Sequence, residues 1–312
     1  MSASRRVVAA GFGGPENLRL EEIAVGEPGP GQVRVSVRAA GVNAYDVKVY
    51  AGPGDRSRLP IALGYEASGV VSAVGDDVTG WAPGDEVIVF PASGAYASDL
   101  VVGADALTAK PEALPWPEAA GLLLTGAAAW HALEAADVGS GDVVLVHGAS
   151  GGVGLYAVQL AALRGGRVIG TAGQEAHPLL RELGAEPVRY GDGLLLRVRE
   201  LAASSGVDVA LDLVGTDEAM DVSLALVPDR SRIVSIANFD RAPREGVTLL
   251  GNGPGADPGT EIRNAARPEL ARLAAEGKLR VFLASTYPLE DAAEAHRRIA
   301  TGHTTGKLVL LP

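Results

Sequence analysis

The run Val143-Val144-Leu145-Val146-His147-Gly148-Ala149-Ser150-Gly151-Gly152-Val153-Gly154 carries the clearest chemistry in the sequence. A continuous apolar stretch leads into a glycine turn and then into a helix start. Ala149-x-Gly151-x-x-Gly154 fits the dinucleotide fingerprint with Ala in place of the first Gly. At such a turn Gly151 lets the backbone approach a pyrophosphate and Gly154 lets the helix pack on the strand. The unpaired amides of the helix N-terminus then face the anion. Glycine turns also serve packing alone. Here a buried strand before and an amphipathic helix after favour cofactor binding.

The second strand, Arg167 to Gly170, bears on which dinucleotide. An NAD site uses Asp or Glu at its end, about 20 residues on, to bind the ribose hydroxyls. Here Thr171-Ala172-Gly173-Gln174 follows, and no carboxylate stands there before Glu175. Thr171, Gln174 and His177 are candidate hydrogen-bonding partners of a 2′-phosphate, and Arg189 and Tyr190 lie at the end of the next strand. NADPH is the expected cofactor. His177-Pro178 also reads as a plain helix start with no ligand.

Other chemistries are narrowed by what is missing. The chain has no cysteine, which excludes disulfides, thiolate nucleophiles and sulfur-dependent zinc sites. The 5 histidines are scattered, with no metal-ligating spacing, so no metal is expected. A net charge of −11 disfavours nucleic acid and anionic membrane surfaces as partners, yet leaves room for one local phosphate pocket. No signal-peptide-like run opens the sequence and no stretch reaches the roughly 18 apolar residues of a membrane span, so a cytoplasmic protein is expected.

These residues need elements to hold them. At 312 residues the chain is long for one domain and comfortable for two. Its first third reads as short strands between Gly/Pro turns: Val33 to Val37, Ala67 to Val74 and Glu86 to Phe90, with turns at residues 26–31, 75–77 and 83–85. Trp116 to Ala136 reads helical. Strand–helix alternation follows: Val143 to Val146, helix Val153 to Arg164, strand Arg167 to Gly170, helices Pro178 to Leu183 and Leu194 to Ala203, and strands Val207 to Asp212 and Ser231 to Ile236. This is the signature of a doubly wound parallel sheet. A loop at 251–255, a helix around Pro268 to Glu276, a strand at 281–283, a helix near Leu289 to Ala300 and a last strand at Lys307 to Leu311 close the chain. The tail is a candidate to return and pair with the first domain.

At this point the chain resembles a family. Gly41-Val42-Asn43-x-x-Asp46, Gly64-Tyr65-Glu66-x-x-Gly69-x-Val71, Pro83-Gly84-Asp85-x-Val87, Thr125-Gly126-x-x-Ala129-Trp130, the glycine turn, Leu183-Gly184-Ala185 and Gly306-Lys307-Leu308-Val309-Leu310 look like the quinone oxidoreductase, zeta-crystallin-like branch of the zinc-free medium-chain dehydrogenases/reductases. The match runs from end to end. It implies an α/β protein with a GroES-like β-rich substrate domain (1–124 and 279–312) and an inserted Rossmann domain (125–278). The active site would lie in the cleft, and the protein would be a homodimer. Zinc-dependent relatives carry Cys where this chain has Asn43, and His where it has Tyr65, so both ligands are missing here.

By likeness, Asn43 and Thr125 would line the nicotinamide, and Ser150, Gly151, Gly152 and Val153 would hold the pyrophosphate. Thr171, Gly173, Gln174, His177 and Tyr190 would sit near the adenosine phosphate. Val214, Ile236 and Ala237 would border the nicotinamide ribose, with Gly251 and Asn252 near the carboxamide. The implied activity is NADPH-dependent hydride transfer to a quinone or an α,β-unsaturated carbonyl compound, because without a Lewis acid alcohol oxidation is hard to run. Enoyl-thioester reductases of the superfamily keep a tyrosine donor about eleven residues after the Asn43 position. Gly54 stands there instead. Protonation then falls to water or to Tyr50. Tyr45 and Tyr65 are other phenols, read first as buried structural residues. Asp46 reads as a local structural residue, and Trp130 and His131 as packed helix residues. Two alternatives stay open: a dedicated secondary-metabolite tailoring reductase of the same fold, and a non-catalytic NADPH-binding sensor or structural protein.

Overall fold

The structure, a computed structural model, describes residues 4–312. The chain forms two units, Thr125–Ala266 and the flanking segments that end at Leu124 and resume at Arg267.

The flanking unit is built on a seven-stranded sheet. Its backbone is the long strand Gln32–Val42, where Val33, Val35 and Val37 are buried and Arg34, Ser36 and Arg38 are not. That period-2 pattern places one face on the core. From Ala39 to Val42 both faces are covered. Gln32–Val42 pairs antiparallel with Ala67–Val74, Asp99–Gly103 and Lys307–Leu311. Glu86–Val89 and Leu107–Ala109 extend the sheet on one side and Leu283–Pro288 on the other. The tail therefore does return to the first segment, by a parallel pair, Leu283–Pro288 with Lys307–Leu311, whose crossover is the helix Ala292–Ala300. A small antiparallel sheet of Ser4–Ala9, Leu18–Ile23 and Ile61–Ala62 packs beside it.

The continuous unit is a six-stranded all-parallel sheet in the order Glu186–Arg189, Arg167–Ala172, Val143–His147, Val209–Asp212, Ile233–Ser235 and Thr248–Leu249. Every residue of the central strand Val143–His147 is buried, as a strand with covered faces requires. The order reverses at this strand, the point where open α/β sheets bind ligands.

Three elements differ from the sequence reading. The helix expected over 116–136 is two, Trp116–Ala120 and Leu123–Ala135. They break at Gly121, where the stem of Lys307 packs against the missing side chain. The helix expected from Pro268 starts at Thr260, so that the proline lies inside it. The expected boundary at 279 follows this helix, whereas the division into units falls within it, at Arg267. The strand expected at 281–283 begins at Leu283.

Candidate active site

In the continuous unit the glycine turn joins Val143–His147 to the helix Gly152–Leu163. Gly148 has φ +74°, in the left-handed region that side chains avoid. A Cβ on Gly154 would collide with the Gly148 carbonyl oxygen and the Ala149 backbone, so the helix can sit this close only on glycine. At Gly151 a Cβ would meet nothing nearer than the Gly148 oxygen at 3.4 Å. Ser150, Gly151, Gly152 and Val153 are all partly exposed. The helix start is thus an open, amide-lined cradle that suits a pyrophosphate.

Thr171, expected at the 2′-phosphate, is buried, and its hydroxyl accepts from the Gly148 amide at 3.1 Å. It shapes the glycine turn from the neighbouring strand instead of facing a ligand. Gly173, Gln174, His177 and Tyr190 gather at the end of Arg167–Ala172. The Tyr190 hydroxyl lies 4.0 Å from where a Gly173 Cβ would stand, Gln174 is exposed, and the His177 ring lies 3.4 Å from the Ala172 carbonyl.

Asp212 organises the next two strand ends, and the sequence reading passed over it. Its fully buried carboxylate accepts from the amides of Val214 (3.2 Å) and Gly215 (2.7 Å) and from the Ser235 hydroxyl (2.8 Å). The Ser235 oxygen in turn accepts from Ala237 (3.3 Å) and Asn238 (3.0 Å). One carboxylate therefore fixes both turns that carry Val214, Ile236 and Ala237. An acidic residue closing an apolar strand was the available signal. Gly251 is tied by its amide to the Asp257 carbonyl, and Asn252 is exposed beside it. Asp257 also faces the buried ring of His131 at 3.3 Å. Thr125 is buried on the helix Leu123–Ala135.

In the flanking unit Asn43 caps the helix Ala44–Ala51. Its amide nitrogen donates to Glu66 Oε1 at 3.1 Å, and its Oδ1 accepts from Lys307 Nζ. Lys307 also donates to Glu66 Oε1 at 2.8 Å, while Glu66 Oε2 accepts from the Leu124 amide at 2.9 Å. Asn43, Glu66 and Lys307 are all buried. The Asn43 side chain is thus an anchored amide, held within the unit. Its backbone amide donates to Asp46 Oδ2 at 2.8 Å, and the same oxygen accepts from the Tyr96 hydroxyl. Tyr96 meets His296 Nε2 at 3.1 Å, and Tyr50 meets His296 Nδ1 at 2.8 Å.

This placement corrects the reading of Tyr50 as a proton donor. Its ring is fully buried in the core and its hydroxyl is engaged by His296, with burial pushing the phenol up to about 12. Tyr45 and Tyr65, expected to be buried, are accessible instead. Tyr45 is 41% exposed, Tyr65 is half-buried, and their rings meet edge-on at 4.9 Å.

Residues 29–138 match the alcohol dehydrogenase GroES-like domain and residues 183–310 the zinc-binding dehydrogenase family. The quinone oxidoreductase of Pseudomonas aeruginosa is 34% identical, over 99% of this chain and 100% of that protein. The chain belongs to the quinone oxidoreductase branch of the medium-chain dehydrogenases/reductases. The structure of the Escherichia coli quinone oxidoreductase complexed with NADPH superposes with a TM-score of 0.87 at 30% identity, over 99% of this chain and 100% of that one. A segment of the spectinabilin polyketide synthase system protein NorB of Streptomyces orinoci is 35% identical, over 99% of this chain and 14% of that protein.

Beside Asn43 in this oxidoreductase of the medium-chain superfamily stands a lysine. An ammonium, Lys307, bridges the two nearest oxygens, Asn43 Oδ1 and Glu66 Oε1, and repels a second cation there. Among the described residues no group of three or more His, Cys, Asp or Glu stands together as a metal site, and no helix is long and apolar enough to cross a membrane.

Proposed function

We propose that this oxidoreductase is an NADPH-dependent, zinc-independent reductase of quinones or α,β-unsaturated carbonyl compounds. The observation that carries the cofactor reading is the amide-lined cradle at Gly151 beside a strand end that offers Gly173, Gln174, His177 and Tyr190. Backbone amides suit the pyrophosphate, and neutral hydrogen-bonding side chains suit a 2′-phosphate better than a carboxylate does. Val214, Ile236 and Ala237 would border the ribose on turns that Asp212 holds rigid.

When bound, the nicotinamide supplies a hydride, and a proton from solvent completes the two-electron reduction. The protein's task is then to orient the acceptor, exclude water and hold the charge that gathers on the carbonyl oxygen. Buried Lys307 does not reach out to do this, since Asn43 and Glu66 hold it.

Consumption of NADPH and NADH at 340 nm, against 1,4-naphthoquinone, 9,10-phenanthrenequinone, a 2-alkenal and a cyclic enone, tests the proposal. Turnover with NADPH on any of them is expected. Preference for NADH would overturn the cofactor assignment. Tight NADPH binding without turnover on the whole panel would move the weight to a cofactor-binding protein or to a dedicated substrate. The NorB match supports the second of these, a tailoring reductase of polyketide-type enones.

A further inference from the structure

Beside Asn43 and Glu66 in the sequence, the flanking unit holds two phenols, Tyr45 and Tyr65, that the network of buried hydrogen bonds does not use, while the ring of a third, Tyr287, packs against the core. Among the described residues, neither the Tyr45 nor the Tyr65 hydroxyl has a hydrogen-bond partner, whereas Tyr50 and Tyr96 are both engaged. Both free phenols are held on rigid backbone. Tyr45 lies in the first turn of the helix Ala44–Ala51, fixed by the bond from the Asn43 amide to Asp46. Tyr65 lies on a segment strapped to residues 92–96 by three backbone bonds: Tyr96 to Leu63 at 2.9 Å, Ala95 to Gly64 at 3.1 Å and Ala92 to Tyr65 at 3.0 Å. Gly64, with φ +92°, makes the close approach, because a side chain there would run into Tyr96. Tyr65 directly precedes Glu66, and Tyr45 follows Asn43 by two residues, so the pair flanks the buried Asn43–Glu66–Lys307 cluster.

We infer that Tyr65 and Tyr45 bind the acceptor, Tyr65 donating its hydroxyl to the carbonyl oxygen and Tyr45 offering its ring to a planar conjugated system. The inference rests on the reductase reading above. Reduction places an electron pair on that oxygen, and a neutral phenol is a donor suited to hold it. Burial, and then the nearby Tyr45, raise the Tyr65 phenol to about 12, so its proton stays in place at neutral pH. The exposed ring of Tyr45 has, among the described residues, no ring partner besides Tyr65, and a flat polycyclic ring gains more from it than a small aliphatic enone does. The substrate class this favours is the polycyclic or aryl-conjugated quinone or enone.

The test uses Y65F, Y45F and Y45A in the full chain. Turnover and binding are measured separately: kcat/KM with NADPH, and the affinity of 9,10-phenanthrenequinone for the NADP+-loaded protein, where no reduction occurs. Y65F is expected to lower kcat/KM by about 100-fold, the loss typical of one oxyanion donor. It should weaken phenanthrenequinone about tenfold and leave the NADPH Kd within about twofold. Y45A should weaken phenanthrenequinone while sparing a cyclic enone, and Y45F should behave as wild type. Unchanged melting temperatures show that the variants fold. If Y65F matches wild type in both assays, or Y45F is as impaired as Y45A, the inference is wrong. If wild type turns over nothing on the panel, the reading as a general quinone or enone reductase fails, and the binding assay alone tests the inference. Failure of wild type to bind phenanthrenequinone overturns the inference as well.

Discussion

Asp46 and His296 stand on either side of the Tyr96 hydroxyl, and burial acts on them in opposite directions. It raises Asp46 from 3.8 to about 7 and lowers His296 from 6.5 to about 4. Near pH 5 the unfolded chain has Asp46 ionised and His296 protonated, while the folded protein has Asp46 protonated and His296 neutral. Each state binds one proton to the pair, so together they give little pH slope between about 4 and about 6.5. Taken singly, they do not cancel. Asp46 stabilises the fold at low pH, and that stabilisation is lost as pH rises toward about 7. His296 stabilises it above about 6.5, and that is lost as pH falls toward about 4. Each arm is on the order of 3–4 kcal/mol. We therefore expect Asp46→Asn to become steadily less stable as pH falls below about 6.5, and His296→Gln to become less stable as pH rises from about 4 to about 7. Urea unfolding across that range checks both, and parallel profiles in the two variants would sink the argument. A second prediction concerns Lys307. Lys307→Met leaves the Glu66 carboxylate buried without its cation and should cost about 3–5 kcal/mol. Adding Glu66→Gln should recover much of this, because the Asn43 amide can turn to accept from the new amide. Chemical denaturation of both variants measures the recovery.

The glycine turn shows how an element divides its labour. A side chain at 154 collides with the turn backbone at Gly148 and Ala149, while one at 151 meets nothing nearer than the Gly148 oxygen, at an ordinary contact distance of 3.4 Å. Gly154→Ala should lower the melting temperature, by an amount set by how far the helix must lift. Gly151→Ala should melt as wild type and lose about tenfold or more in NADPH affinity, since its methyl would occupy the anion cradle. Equal loss of stability in both variants, by calorimetry, would argue against that division. This turn was legible in the sequence, since the strand, turn and helix have local signals: an apolar run, glycine spacing and helical periodicity. The lysine at the Asn43 site was not, because Lys307 lies 264 residues away. The burial of Tyr50 and the exposure of Tyr45, the reverse of expectation, have a geometric cause. Asp46 and Tyr50 are four apart and share the inward face of Ala44–Ala51, while Tyr45 lies on another face. A buried carboxylate on that inward face disguised it as a polar one. The helix expected around Pro268 to Glu276 begins at Thr260, with the proline inside it, because a proline in a helical pattern marks a boundary more often than an interior.

At the scale of the molecule, the two units differ in how the chain builds them. The continuous unit closes its six-stranded sheet within 125–266. The flanking unit must wait for its last strand. Lys307–Leu311 is bonded on both sides, to Leu283–Pro288 and to Gln32–Val42, and Lys307 to Leu310 are buried. A chain ending at Gly306 would remove the strand that pairs with residues 40–42 on one side, open the core around Leu308 and Leu310, and strip Glu66 of its cation. None of these contacts belongs to the parallel sheet. In such a truncated chain, amides of residues 143–147 and 209–212 should keep their slow hydrogen exchange, while those of 33–42 and 67–74 should exchange about 100-fold faster or more. Mass spectrometry of the exchanged peptides reads the two sheets side by side. Joint loss of protection would mean that the parallel sheet depends on the flanking unit for its stability. Selective loss would mean that the continuous unit can form while the tail is still being made, and that the flanking unit is completed last.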